Sequence, residues 1–263
     1  MHSKITEQIV PANAIALWWL GQSGFVIKSP GGTVILLDPY LSNSCQPLGR
    51  QFGFDFDRQI PAPFSAADLA GADLYMVTHT HQDHLDPETL GLYRKAAPRG
   101  KYLAPPEAVE KLQSMGVSAQ EIEMTWPNKS HVVGDVTIRA AFAIPFGADD
   151  LTHVGYLVKT ENGPTVYFTG DTSYHAILAL GVAPHQPDVL VAVINAAFRN
   201  LGPAEAATLA KELDVKVVIP CHHDLFRDNC QPPQMLHTNL KILGLGDRYR
   251  LLDHGVCYTY PES

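Results

Sequence analysis

A chain of 263 residues with 46% hydrophobic content can bury a sizeable core, and its formal charge of −8 without any basic run argues against a nucleic-acid partner. No run of 18 apolar residues offers a membrane span and the first residues carry no cationic leader pattern, so a cytoplasmic protein without membrane contact is expected. Cys45, Cys221, Cys230 and Cys257 are scattered without CxxC spacing and read as reduced thiols. The acidic balance leaves an anionic small-molecule substrate open, because bound cations would dominate the local field.

In chain order, residues 14–19 and 24–28 read as paired strands around the turn Gly21-Gln22-Ser23-Gly24, with a third strand over 33–37 that ends at Asp38. Asp38 is a candidate to hold a ligand histidine or a metal loop through hydrogen bonds. Residues 41–64 are rich in Gly, Pro, Ser and Asn without periodicity, and are expected to form a flap over a site. The apolar run 74–77 predicts a buried strand, and Asp86-Pro87-Glu88 the opening of a helix. Between them lies His79-Thr80-His81-Gln82-Asp83-His84, with four ligand-type residues in six positions. On an extended chain, residues two apart share a side, so His79 and His81 can grip one ion. Asp83 and His84, past the bend, can reach a second. Imidazole and carboxylate suit zinc, manganese or iron(II).

Helices are expected over 87–97, 105–115 and 119–124, with a short strand at 102–104. Hairpins follow around Gly134-Asp135, with His131 at the surface, and around Glu161-Asn162-Gly163. The strand ending at Phe168 delivers Gly170-Asp171, and the strand ending at Pro220 delivers Cys221-His222-His223. A carboxylate at Asp171 can span two metals with its two oxygens. Tyr174 and His175 could line the pocket. Arg199 and Asn200, after a strand at 189–194 and before a helix at 202–213, are candidate contacts for a phosphate or oxyanion.

His79-x-His81-x-Asp83-His84 resembles the HxHxDH signature of the metallo-β-lactamase superfamily, whose members are mostly metal-dependent hydrolases. The run IALWWLGQSGFVIKSPGGTVILLDPY, the stretch beginning Asn200-Leu201-Gly202-Pro203 and the segment KVVIPCHHDLF are similar to its L-ascorbate-6-phosphate lactonase (UlaG-like) branch. The resemblance covers about residues 14–226. It implies an α/β fold, an αββα four-layer sandwich, as one metallo-β-lactamase-like domain over residues 1–263. It also implies one or two divalent ions (zinc or manganese, with iron as an option) held by His79, His81, Asp83, His84, Asp171 as the bridge, and His222. One departure stands out. The superfamily's further histidine ligand after the strand near 136–144, an aspartate in the lactonase branch, corresponds here to Pro145, which cannot bind a metal. Asp149, Asp150 or His153 could substitute. Asp38, Asp150, His153, Arg199 and His223 are therefore candidates for substrate contact or for supporting the ligands.

The expected chemistry is hydrolysis. A metal-bound water, its pKa lowered towards neutrality, attacks an ester or lactone carbonyl, for which a sugar-acid phosphate lactone is the family precedent, while Asp83 orients the water or takes a proton. Phosphodiester hydrolysis on the same fold and a non-catalytic metal-binding or sensing protein are the alternatives. No GxSxG elbow competes, and Cys221 is a poor candidate nucleophile. A small-molecule substrate is expected, and self-association into a homo-oligomer is left open.

Overall fold

The computed structural model describes residues 1–147 and 150–262. A short helix α1 (Ser3–Thr6) precedes strands β1 (Ile15–Gly21), β2 (Gly24–Lys28) and β3 (Val34–Leu37), then helix α2 (Cys45–Phe52) and β4 (Leu74–Met76). Next come α3 (Pro87–Ala96), β5 (Tyr102–Ala104), α4 (Pro106–Ser114) and β6 (Ile122–Met124), followed by β7 (Ser130–Val133), β8 (Val136–Phe142), β9 (Val154–Thr160) and β10 (Thr165–Phe168). The chain continues through α5 (Ala176–Val182), β11 (Val189–Val193), α6 (Pro203–Leu213), β12 (Val217–Cys221), α7 (Pro233–Ile242) and β13 (Cys257–Tyr260).

The strands form a seven-stranded sheet in the order β13-β1-β2-β3-β4-β5-β6 and a six-stranded sheet in the order β12-β11-β10-β9-β8-β7. Their pleat explains the layers. Along β1, Ile15, Leu17 and Trp19 enter the core shared with the second sheet, while Ala16, Trp18 and Leu20 turn outward. The outward set meets Leu90 and Tyr93 of α3 and Ala108 and Leu112 of α4. The inner core continues through the second sheet to Leu178, Leu209 and Leu236 on α5, α6 and α7. Sheets covered on both faces need strands that are apolar on both sides, which is why β1, β2, β3 and β11 are buried throughout. The result is the expected αββα sandwich.

Parallel pairing runs through β3-β4-β5-β6 and β10-β11-β12. The carboxyl ends of these strands lie at one edge, where α/β proteins place their sites. There the two sheets exchange hydrogen bonds directly. His222 N–H donates to the Gln22 carbonyl (2.9 Å), Val154 N–H to the Thr78 carbonyl (3.1 Å), and the Tyr156 hydroxyl to the Val77 carbonyl (2.8 Å).

Several expectations need correction. Residues 41–64 contain the helix α2, which Pro47 and Gly49 hide because both are poor helix formers. Residues 119–124 are a 3₁₀ turn (Ala119–Glu121) followed by the strand β6. His131 is 5% exposed, because β7 carries it inward between Glu123 and Thr125, which its ring nitrogens contact at 2.6 and 2.9 Å. Among the described residues no helix is long and apolar enough to cross a membrane.

Candidate metal centre

The histidine loop is fixed at both ends. At its start, Asp38 receives the Thr78 N–H (2.8 Å) and Thr78 hydroxyl (2.5 Å). At its end, Asp86 caps α3 by accepting from Glu88 N–H (3.1 Å), and also holds the hydroxyls of Ser44 (2.8 Å) and Thr89. Within it, His84 and Leu85 N–H both donate to the His81 carbonyl, folding a turn that brings Asp83 and His84 back towards His79. Asp150 braces the same loop by accepting Thr80 N–H at 2.7 Å.

The donors converge in three overlapping groups, His79–His81–His153, His79–His84–Asp171 and Asp83–His84–His222, with ligand atoms within 4.8 Å of one another in each. His79 Nε2 and His81 Nδ1 are 2.9 Å apart, and the His153 ring lies 3.9 Å from that of His79. On the other side, Asp83 Oδ2 is 3.2 Å from His222 Nε2, and Asp171 Oδ1 lies 3.3 Å from His84 Nε2 and 3.6 Å from His222 Nε2. Asp171 thus stands between the two histidine sets, where a bridge belongs. Gly170 makes this possible. It has φ +60°, and a Cβ there would meet the Val154 carbonyl at 2.7 Å. His222 also takes a left-handed backbone, φ 59°, a strained geometry for a residue with a side chain.

A second tier of residues orients this set. His84 Nδ1 lies 2.8 Å from Asp38 Oδ2, which leaves Nε2 facing the centre. Asn200 donates to Asp171 Oδ2 at 2.6 Å, and Gln22 donates to Asp83 Oδ2 at 2.9 Å. His153 Nε2 is buried without a hydrogen-bond partner, while His84 Nε2 and Asp171 Oδ1, also without a hydrogen bond, face each other at 3.3 Å. An orphaned buried polar atom costs about 1–3 kcal/mol, so such atoms within a histidine–aspartate cluster mark room for a group that accepts their lone pairs. Imidazole and carboxylate around such a space suit a divalent transition metal.

Charge points the same way. Burial, then the neighbouring His84, His153 and His81, push the His79 pKa well below the usual range, so it is a neutral donor. Burial likewise lowers His153. Burial opposes the charged form of His84, but Asp171 and Asp83 outweigh it and hold its pKa well above the ordinary value. Those carboxylates, despite burial, are held far below the usual range by His84 and His222. Two carboxylates beside His84 Nε2 thus favour positive charge at this point, as a metal cation would supply. Burial pushes the Cys221 thiol well up, which removes it as a nucleophile.

The expected residues sort cleanly. His79, His81, Asp83, His84, Asp171 and His222 fall in the three overlapping groups, and Asp38 hydrogen-bonds His84 and the start of the loop. His153 lies beside His79 and His81, whereas Asp150 serves the backbone and Asp149 lies outside the described residues. His223 turns away, its ring 4.5 Å from Trp19 and its Nδ1 2.8 Å from Asp224. Arg199, with Pro145, Tyr174 and His175, borders a separate open cavity beside the centre. The sequence shows Gln22 only as a turn residue, and its one further signal is a lone amide between two buried strands.

Above the donors lies a cavity of about 490 Å³, reached by His81, Asp83, His153 and Asp171 at its floor. A four-layer sandwich with a histidine–aspartate cradle on its strand-end edge is the architecture of metallohydrolases of the β-lactamase type. The comparisons agree: residues 16–222 match the beta-lactamase superfamily domain, and the chain belongs to that family. It is 33% identical to a metal-dependent hydrolase of Myxococcus xanthus over 243 residues, 86% of this chain and 76% of that one. It is 26% identical to a protein of Escherichia coli named as probable L-ascorbate-6-phosphate lactonase, over 90% of this chain and 77% of that one. Among solved structures, a metallo hydrolase of the archaeon Ignicoccus hospitalis superposes with a TM-score of 0.75 at 20% identity, covering 95% of this chain and all of that one.

Proposed function

We propose that this metal-dependent hydrolase cleaves an ester or lactone carbonyl, with His79, His81 and His153 holding one divalent ion, Asp83, His84 and His222 a second, and Asp171 bridging them. The observation that carries the reading is the convergence of three overlapping histidine–aspartate groups, with His81, Asp83, His153 and Asp171 on the floor of the cavity. Zinc, manganese or iron in such a site would supply Lewis-acid chemistry, lowering the pKa of a coordinated water and polarising a substrate oxygen.

The protein's own groups do the rest. Asp83 lines the cavity floor with one oxygen held by the Gln22 amide, so it can orient the attacking water and take its proton. Asn200 fixes Asp171 so that only Oδ1 is free to face the centre. Asp38 keeps His84 in the tautomer that presents Nε2. The likeness to a named lactonase supports a carbonyl rather than a phosphodiester substrate.

Elemental analysis of the purified protein, paired with lactone, ester and phosphodiester panels before and after chelation, tests this. The expected result is bound transition metal and a lactone or ester activity that chelation removes and added zinc or manganese restores. Less than about a tenth of an equivalent of metal, or cleavage of phosphodiesters alone, would overturn it.

A further inference from the structure

The walls of the cavity differ from its floor. Six of the chain's ten phenylalanines line it: Phe52, Phe54, Phe56, Phe146, Phe198 and Phe226. They come from four separate segments, the end of α2 and its following loop, the β8–β9 connection, the β11–α6 connection and the loop after β12. Five of the rings, all but that of Phe52, form a continuous series. Phe56 stacks on Phe54 (5.4 Å between centroids) and on Phe226 (5.4 Å), while Phe198 meets Phe54 edge-on at 5.9 Å and Phe146 at 6.1 Å. Phe52, Phe54, Phe146 and Phe198 are 65%, 39%, 40% and 39% exposed. Single exposed aromatics are ordinary, but four around one mouth are a built surface.

Cations are missing from the same walls. No lysine or arginine lines this cavity among the described residues. Arg58 is occupied by the carbonyls of Ile60, Tyr40 and Leu20, and Lys111 by that of Thr80. Arg199 lies over the Phe146 ring, 5.8 Å from its centroid, and borders the neighbouring cavity. A phosphate carried into this space would lose its hydration and gain no cationic partner, since the ions at the floor are taken up by the reacting carbonyl.

We infer that the substrate carries an apolar chain or aromatic ring that packs among these phenylalanines, and not the phosphorylated polar arm of a sugar acid. This rests on the ester or lactone reading above. Burying methylenes there makes a definite kinetic pattern: kcat/KM rises about fourfold per methylene until the cavity is full.

The test uses the full-length metal-loaded protein and a series of γ-lactones whose C4 arm grows from methyl to hexyl, with L-ascorbate-6-phosphate as the polar comparator. Separately, calorimetry compares binding of 4-phenylbutyrate and 6-phosphogluconate, which needs no turnover. The expected result is a rising series, a poor phosphorylated lactone, and tighter binding of phenylbutyrate by tenfold or more. The exposed pair Phe54→Ser and Phe198→Ser flattens the series, with circular dichroism confirming the fold. A flat or falling series, or equal or tighter binding of 6-phosphogluconate, overturns the inference. If neither these lactones nor the ester panel turns over but phenylbutyrate still binds selectively, the apolar subsite stands and the hydrolytic reading fails. If neither acid binds, the subsite falls.

Discussion

The two ends of the paired sheets each carry an aspartate on a turn, and they treat it in opposite ways. At the end away from the histidines, Asp135 of the β7–β8 turn reaches across to the β2–β3 turn of the other sheet. One oxygen accepts the hydroxyls of Ser29 (2.5 Å) and Thr33 (2.7 Å), the other the Gly31 N–H (2.7 Å). At the histidine end, Asp171 gives one oxygen to Asn200 and leaves the other buried without a hydrogen bond, 3.3 Å from His84 Nε2 and 3.6 Å from His222 Nε2. The first carboxylate is fully used by the fold. The second keeps an unused lone pair, a local cost that a structural role would not explain. At this pair of turns the fully used carboxylate closes the fold and the partly used one is left able to take a ligand.

The strongest way to break that contrast is Asp83→Asn, at the open end. It keeps shape and the bond to Gln22 through the amide oxygen, but removes the charge and the proton acceptor. Turnover should fall by roughly two to four powers of ten, while elemental analysis finds most of the metal retained through the imidazoles and Asp171. Near wild-type turnover would reduce Asp83 to an ordinary ligand.

A smaller effect is expected at Asp38→Asn, one step behind the ligands. Burial pushes the Asp38 pKa up, but its bonds to His84 and Thr78 pull the other way. The variant weakens the hold on the His84 ring, so metal affinity, measured by competition with a chelator, should drop by about 10–100-fold. An unchanged affinity would show that the loop backbone alone positions His84.

The smallest effect belongs to the closed end. Asp135→Asn should lower stability by about 1–2 kcal/mol in urea unfolding and leave metal content unchanged. Burial opposes the Asp135 charge, but Ser29, Thr33 and Gly31 outweigh it and hold the pKa below the usual carboxylate value. A depressed carboxylate pKa contributes stability above the unfolded value, near pH 4, and loses it as pH falls through the folded value. The gap between wild type and variant should therefore be full at neutral pH and narrow below about pH 4. A gap that widened in acid would contradict the clasp.

Much of the open end was legible in the chain because its donors cluster in sequence or follow apolar strands. The histidine loop, Asp171 and His222 could each be found that way, and so could the layers, through the apolar runs of β1–β4. His153 stayed one candidate among three, because its place beside His79 depends on β9 reaching the loop after β4 across the two sheets. Asp135 was visible only as a turn, since its partners lie about a hundred residues away. The aromatic wall was likewise hidden: no segment carries enough of it to form a pattern. His131 was misjudged because alternation alone does not reveal that β6 covers β7 at that point.

The hydrogen bonds that join the two sheets beside the histidines, from His222 to Gln22 and from Val154 to Thr78, have a consequence for metal exchange. These backbone bonds tie segments that carry donors from both sheets to one another without drawing on a metal–ligand bond, so part of the order the cradle needs is supplied by the fold. Occupancy then follows competition among available cations. At equal supply the intrinsic order of divalent affinities places zinc ahead of iron(II) and manganese, and the geometry of this imidazole and carboxylate set together with the available supply would decide which ion is held.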